Sequence, residues 1–239
     1  MRVAAIVPAY NEARNLPRLA EALRARGSVD DVCVVDDGST DLTAAVAASL
    51  GWKVLRLSMN LGIGGAVQAG YLWAWEHEYD VAVQIDGDGQ HDPAYIDALL
   101  GPIREGKADF VIGSRFLSDG GYRSTTIRRA GITYLSWFLR LRCGARVTDP
   151  TSGFRAANRE ALELFARYYP SDYPEPEAVA LARRAGLRIA EVPVLMNERA
   201  HGASSITAAR TLYYLVKVSL ALVLLPPRNE ALTADGATR

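Results

Sequence analysis

A chain of 239 residues is long enough for one α/β domain with a sizeable core, or for two small ones. Its 27 basic and 27 acidic residues cancel, which excludes a global field steering it to nucleic acid. The two cysteines, Cys33 and Cys143, lie far apart and exclude a disulfide framework or a cysteine zinc site; with 49% hydrophobic and 23% charged residues the chain reads as a globular protein of a reducing cytosol.

Apolar runs alternate with helical patterns through the first half. VAAIVPA at 3–9 precedes a helix over 15–26, with Leu16, Leu19, Ala20 and Leu23 on one face. A second strand at 31–38 holds Cys33 as a buried thiol and leads to a helix at 41–50. A third strand at 53–58 leads to a helix at 62–78, a fourth at 81–86 to a helix at 94–105, and a fifth closes the series at 108–114. Strands alternating with helices predict right-handed βαβ units and a mainly parallel sheet flanked by helices. In such sheets, binding residues collect beyond the C-terminal strand ends. Asp36–Asp37, Ser58–Asn60, Asp86–Asp88 and Ser114–Arg115 all fall there.

The second half is less regular. Residues 126–143 mix arginines with Trp137, Phe138 and leucines. Residues 148–160 read as a loop returning to the strand ends, 170–186 as turn residues becoming a helix, and 188–196 as a short strand. A polar loop at 197–206 precedes a last apolar helix over 207–226. The tail 227–239 reads as disordered. No signal peptide is expected, and no segment reaches the roughly 20 apolar residues of a spanning helix.

QIDGDGQHD at 84–92 is the densest chemical signal. Asp86 and Asp88, one residue apart at a strand end, with Gly87 and Gly89 leaving room for close approach, suit a hard divalent cation such as Mg²⁺. Gln90 can add a neutral oxygen. Asp92, just before Pro93, reads instead as the cap of the next helix. At the first two strand ends, VPAYNE (7–12) and VDDGSTD (35–41) place carboxylates where ribose hydroxyls or a base N–H could be bound, as in dinucleotide folds. Simpler roles are also open: Asn11 and Glu12 as a turn, Asp36 or Ser39 as a helix cap. In NLGIGGA (60–66), Gly62 and Gly64 match G-x-G, but Val67 takes the third glycine's place and the loop follows the third strand, which disfavours an NAD site. No glycine-rich loop with a basic cluster follows the first strand, which disfavours a nucleotidyltransferase.

Together VPAYNE, VDDGSTD, NLGIGGA, DGDGQ (86–90), GSRF (113–116), DPTSGFR (149–155) and RAHGASS (199–205) resemble the family 2 inverting glycosyltransferases of GT-A fold, in order, over about residues 1 to 206. Within that family the chain looks most similar to dolichyl- or polyprenyl-phosphate sugar transferases. The resemblance implies nucleotide contacts from Pro8, Tyr10, Glu12, Val35 and Asp37. It implies donor and metal contacts from Asp86, Gly87 and Asp88, with Gln90 completing the shell around Mg²⁺ or Mn²⁺. Arg115 and Arg199 would face phosphates, with Ser204 or Ser205 nearby. Two positions depart from the family's usual pattern: D-G-D stands for D-A-D, and Ile206 stands where a Lys commonly follows the serine.

The expected reaction moves a hexose from a nucleotide-sugar to polyprenyl phosphate, whose anionic oxygen needs no strong base. A glycan hydroxyl acceptor would need one, and Asp172, Glu175 and Glu177 are the candidates, although acidic residues at a helix start also suit the macrodipole. A non-catalytic sugar-nucleotide sensor is the reading from another class. Arg128, Arg129, Arg140 and Arg142 beside Tyr134, Leu135, Trp137 and Phe138, and the apolar last helix with Tyr213, Tyr214 and Lys217, suit a membrane surface, a separate membrane protein or a homo-oligomer contact. The expected place is the cytoplasmic face of the cell membrane, bound peripherally.

Overall fold

The computed structural model describes residues 1–117, 126–197 and 208–224. Its centre is a seven-stranded sheet in the order β3-β2-β1-β4-β6-β5-β7. The strands are β1 (Val3–Ala9), β2 (Asp31–Asp36), β3 (Lys53–Arg56), β4 (Val81–Gln84), β5 (Phe110–Ser114), β6 (Arg155–Asn158) and β7 (Ile189–Pro193). All pairings are parallel except those of β6, which runs antiparallel to both β4 and β5. The helices are α1 (Leu16–Arg24), α2 (Thr43–Ser49), α3 (Gly62–Glu76), α4 (Ile96–Arg104), α5 (Thr126–Cys143), α6 (Arg159–Arg167), α7 (Pro174–Arg184) and α8 (Ala208–Leu224).

β1 shows why these runs make a two-faced sheet. All seven of its residues are buried, and the period-2 pleat divides them. Ala4 and Ile6 join Cys33, Val35, Tyr71, Phe110 and Phe165 in one core. Val3, Ala5 and Val7 join Val34, Val83, Ile85, Leu99 and Phe154 in the other. Each buried aliphatic side chain of this kind contributes roughly 1.5–3 kcal/mol. α1 buries the expected face, Leu16, Leu19, Ala20 and Leu23. On the opposite side α3 presses so close that a Cβ at Gly70 would lie 2.2 Å from Ile6 Cγ2. Burial also pushes the Cys33 thiol up to about 12, which makes it inert at neutral pH.

The expected loop over 148–160 is the main correction. Its second half is β6, inserted between β4 and β5, and α6 follows at once with Asn158 as its cap, accepting from Ala161 N at 3.0 Å. Phe154 and Ala156 enter one core and Ala157 the other, so this short segment is sheet because both faces are covered. Asp92 does cap the turn that follows, accepting from Ala94 N at 2.9 Å.

α8 lies against α5 and α7. Its Val218 and Leu222 are buried, and Tyr214 meets Tyr173 at 4.7 Å between ring centroids. Lys217 forms an ion pair with Asp172. Among the described residues no helix is long and apolar enough to cross a membrane. The expected tail 227–239 lies outside the described residues.

Candidate functional site

The C-terminal ends of β1, β2 and β4 meet at one edge of the sheet. Asn11 sits in the left-handed region at φ 58°, which asparagine tolerates better than most residues. Its Oδ1 accepts from Thr40 N at 2.9 Å and Asp41 N at 3.3 Å, while its own N–H donates to Ser39 Oγ at 2.9 Å. The turn after β1 is thereby stitched onto the turn after β2. Asp36 is buried, and its Oδ1 accepts from Ser39 N at 2.9 Å, closing that turn. Neither Asp36 nor Ser39 caps α2, whose N-cap position is Leu42. Asp37 accepts from Leu61 N at 2.6 Å and Gly62 N at 3.0 Å and so anchors the start of α3. Burial raises its carboxyl, and those two amides pull it back. Gly38 is obligatory: at φ +71°, a Cβ there would lie 2.9 Å from Asn60 N and Met59 C. Pro8 and Val35 are inside their strands, with Val35 fully buried, and Tyr10 stands 48% exposed at the mouth. Glu12 Oε2 takes a 2.5 Å hydrogen bond from Asn15 Nδ2.

β4 delivers Asp86 and Asp88 into this mouth. A Cβ at Gly87 would lie 3.4 Å from Pro8 O and 3.5 Å from Glu12 Cγ, so the aspartate loop runs directly past the first strand end. Asp88 is buried and its Oδ1 accepts from Gln90 N at 2.9 Å. Asp86 is partly open, yet its Oδ1 is buried without a hydrogen-bond partner. Its Oδ2 faces His91 Nε2 at 3.6 Å, and its main-chain N–H donates to His91 Nδ1 at 2.9 Å. Gly153 leans on the same carboxylate, since a Cβ there would lie 3.4 and 3.5 Å from its oxygens. An orphaned carboxylate oxygen, two residues from a second buried aspartate, fits a hard, oxygen-seeking cation. Among the described residues no cluster of three or more His, Cys, Asp or Glu makes a closed cage. Two protein carboxylates and a shell completed by substrate oxygens is the usual mode of Mg²⁺.

The far side of the mouth is held by two arginines. Arg115, at the end of β5, binds Asp149 through Nε at 2.6 Å and Nη2 at 2.7 Å, and Nη2 also donates to Thr151 at 2.7 Å. Glu191 on β7 accepts from Thr148 N and Asp149 N at 2.6 and 2.9 Å and fixes that turn; burial raises its carboxyl and these amides oppose the rise. Arg155 is fully buried and was not foreseen. Its Nε donates to Ser152 O at 2.6 Å and its Nη2 to Pro150 O and Glu175 O at 2.9 and 2.8 Å. It stands opposite Gln84 across β4 and β6. Among the described residues Arg155 Nη1, Gln84 Oε1 and Tyr71 Oη are buried without hydrogen-bond partners. The legible signal was a glutamine inside an apolar strand and an arginine followed by two alanines.

The start of α7 closes the group. Gly64 of α3 admits it: a Cβ there would lie 2.2 Å from Pro170 O. Asp172 is exposed and paired with Lys217. Glu175 is half-buried; burial raises its carboxyl, the Arg155 guanidinium lowers it and Asp86 raises it further. Burial pushes Glu177 up to about 7 against the pull of Lys217. Arg199, Ser204 and Ser205 lie outside the described residues.

The mainly parallel, two-faced sheet with its flanking helices is a fold of the GT-A class. Residues 4–165 match the family described as glycosyl transferase family 2. The chain belongs to that family and is a glycosyltransferase. It is 36% identical over 216 residues to an undecaprenyl-phosphate mannosyltransferase of Micrococcus luteus, covering 87% of this chain and 88% of that one. It is 32% identical over 228 residues to a polyprenol monophosphomannose synthase of Mycolicibacterium smegmatis, covering 91% and 86%. Among solved structures, glucosyl-3-phosphoglycerate synthase from Mycobacterium tuberculosis in complex with Mn²⁺, uridine diphosphate and phosphoglyceric acid superposes with a TM-score of 0.68 at 26% identity, over 93% of this chain and 77% of that one.

Proposed function

We propose that this protein transfers a hexose, with inversion, from a nucleotide-sugar to polyprenyl phosphate, using Mg²⁺ or Mn²⁺ at Asp86, Asp88 and Gln90. The observation that carries the reading is the buried, orphaned Oδ1 of Asp86, on the loop that passes the end of β1. The names of the two relatives supply the acceptor class, and the Mn²⁺ and uridine diphosphate of the solved neighbour supply the donor class.

In this reading Pro8, Tyr10, Glu12, Val35 and Asp37 line the nucleotide's side of the mouth, Val35 through its main chain because its side chain is buried. Asp86, Asp88 and Gln90 would hold the divalent cation, which would offset charge on the departing diphosphate. Asp88 is fixed by the Gln90 amide on the donor side of the loop. Arg115 comes to the phosphates already oriented by Asp149, a preorganised cation rather than a free one. Arg199 with Ser204 or Ser205, which lie outside the described residues, would by the family resemblance supply further phosphate contacts. The acceptor's own anionic oxygen attacks, so no side chain has to remove a proton.

The acceptor is a lipid, and two helices offer it a surface. Tyr134, Trp137 and Leu141 form an exposed stripe on α5, and Tyr213, Val216, Leu220 and Leu224 form one on α8. Both stripes repeat every third or fourth residue, opposite the buried Leu135, Leu139, Val218 and Leu222. With Arg129, Arg140 and Arg142 on α5, they suit peripheral binding to an anionic bilayer on the cytoplasmic side.

A glycan hydroxyl acceptor is the second reading, favoured by the raised carboxyls of Glu175 and Glu177. One experiment separates the two. The chain is incubated with radiolabelled sugar nucleotide, Mn²⁺ and polyprenyl phosphate, then extracted with organic solvent. Label in the organic phase, lost in Asp88→Ala and on chelation, is expected. Label transferred only to an aqueous glycan favours the second reading, and donor binding without turnover overturns both.

A further inference from the structure

His91 is 3% exposed and is not one of the proposed metal ligands, yet both ring nitrogens are turned to Asp86. The Asp86 N–H donates to Nδ1 at 2.9 Å. A ring that accepts at Nδ1 carries its proton on Nε2, and Nε2 faces Asp86 Oδ2 at 3.6 Å. One side chain thus addresses both the main chain and the carboxylate of the same residue. The ring plane is set by Phe154, stacked on it at 4.9 Å and 10°. The main chain is held independently: His91 bridges Met196, and Gln90 O accepts from Asn197 N at 2.9 Å.

The turn before β6 gains a rationale from this arrangement. Gly153 gives Asp86 room on one side, Phe154 backs the imidazole on the other, and Arg155 ties the turn to α7. Gly153 bears on the Asp86 carboxylate directly and Phe154 through the imidazole.

We propose that His91 is a positioning residue that fixes the rotamer and depth of Asp86 and so sets how its carboxylate is presented to the divalent cation. The inference rests on the metal reading of Asp86 and Asp88 given above. Groups standing behind a ligating carboxylate commonly set metal affinity within a factor of about 10–100.

The test titrates Mn²⁺ into the full chain with uridine or guanosine diphosphate present, and reads free Mn²⁺ by electron paramagnetic resonance. His91→Phe keeps the ring stack and removes both polar contacts. His91→Asn restores an acceptor near the Nδ1 position. Mn²⁺ binding about 10-fold or more weaker in His91→Phe, partly recovered in His91→Asn, with circular dichroism and unfolding midpoint near wild type, is the expected result. Equal Mn²⁺ affinity in wild type and a folded His91→Phe overturns the inference alone. Absence of Mn²⁺ binding in the wild type overturns the metal reading and the inference with it. If His91→Phe does not fold, His91→Asn and His91→Gln decide: wild-type affinity in both overturns the inference, and a loss in His91→Gln, which lacks the Nδ1 acceptor, upholds it.

Discussion

Arg115 and Asp149 form a two-pronged ion pair, at 2.6 and 2.7 Å, with the guanidinium 5% exposed and the carboxylate not at all. The pair joins the end of β5 to the turn that feeds β6. Removing one partner strands the other charge in the interior. Asp149→Ala is expected to cost about 3–5 kcal/mol, read from urea unfolding, whereas Arg115→Met with Asp149→Leu together costs less than Asp149→Ala alone. A double variant as unstable as the single one would contradict this account.

Gly64 faces main chain, not a yielding side chain. A Cβ there would lie 2.2 Å from Pro170 O and 2.3 Å from Ser171 O. Gly64→Ala must displace the segment that leads into α7, and is expected to destabilise by about 1–3 kcal/mol. Donor turnover should fall with it, because Glu175 O at the end of this segment holds Arg155 and with it the turn beside Asp86. Gly101, where a Cβ meets nothing within 4 Å, supplies the control: Gly101→Ala in α4 should not destabilise.

Glu177 predicts a pH dependence. Its carboxyl holds a proton up to about 7 in the folded chain and only to 4.5 when unperturbed. Between those values the folded state binds more protons than the unfolded one. Its stability is therefore undiminished below 4.5 and declines as pH rises toward 7. Lys217 and Asp172, which face Glu177, work against each other and leave burial dominant. Glu177→Gln should match wild type in unfolding midpoint at about pH 4.5 and exceed it at about pH 8. An equal difference at both values would assign the effect to packing.

Trp137 and Leu220 lie on the outer stripes of α5 and α8, 57% and 56% exposed. Trp137→Asp with Leu220→Asp should leave unfolding within about 0.5 kcal/mol of wild type for each site. Co-sedimentation with vesicles containing anionic lipid should drop several-fold, and transfer to a long-chain polyprenyl phosphate should drop more than transfer to a short, water-soluble one. Unchanged sedimentation would remove the bilayer from the proposal.

Much of the site was legible because strand ends are local events. An apolar run that stops at Asp86, or at Asp36–Asp37, announces where a parallel strand leaves the sheet, and the helical pattern after it announces the crossover. The cap role of Asp92 was equally local, settled by Pro93 beside it. Asp37 was legible in place but not in partner: its two oxygens hold amides of residues 61 and 62, which only the packing of α3 on the sheet brings near. β6 was missed because four residues carry too little periodicity to read. They become a strand only where β4 and β5 offer unpaired edges on both sides.

From its order of residues alone the chain determined the alternation of strand and helix, the mouth at which carboxylates collect, and the family whose motifs they form. All of these depend on near neighbours, periodicity and turn chemistry. Tertiary structure alone decided that His91 and Phe154 stand behind Asp86, that Asp149 takes up Arg115, and that Arg155 is buried beneath the start of α7. The contact of His91 with Asp86 spans five positions, but the Phe154, Asp149 and Glu175 contacts that fix the site join residues 20 to 63 positions apart, and a contact at such separation exists only once the sheet has closed and excluded the water that would otherwise compete for it.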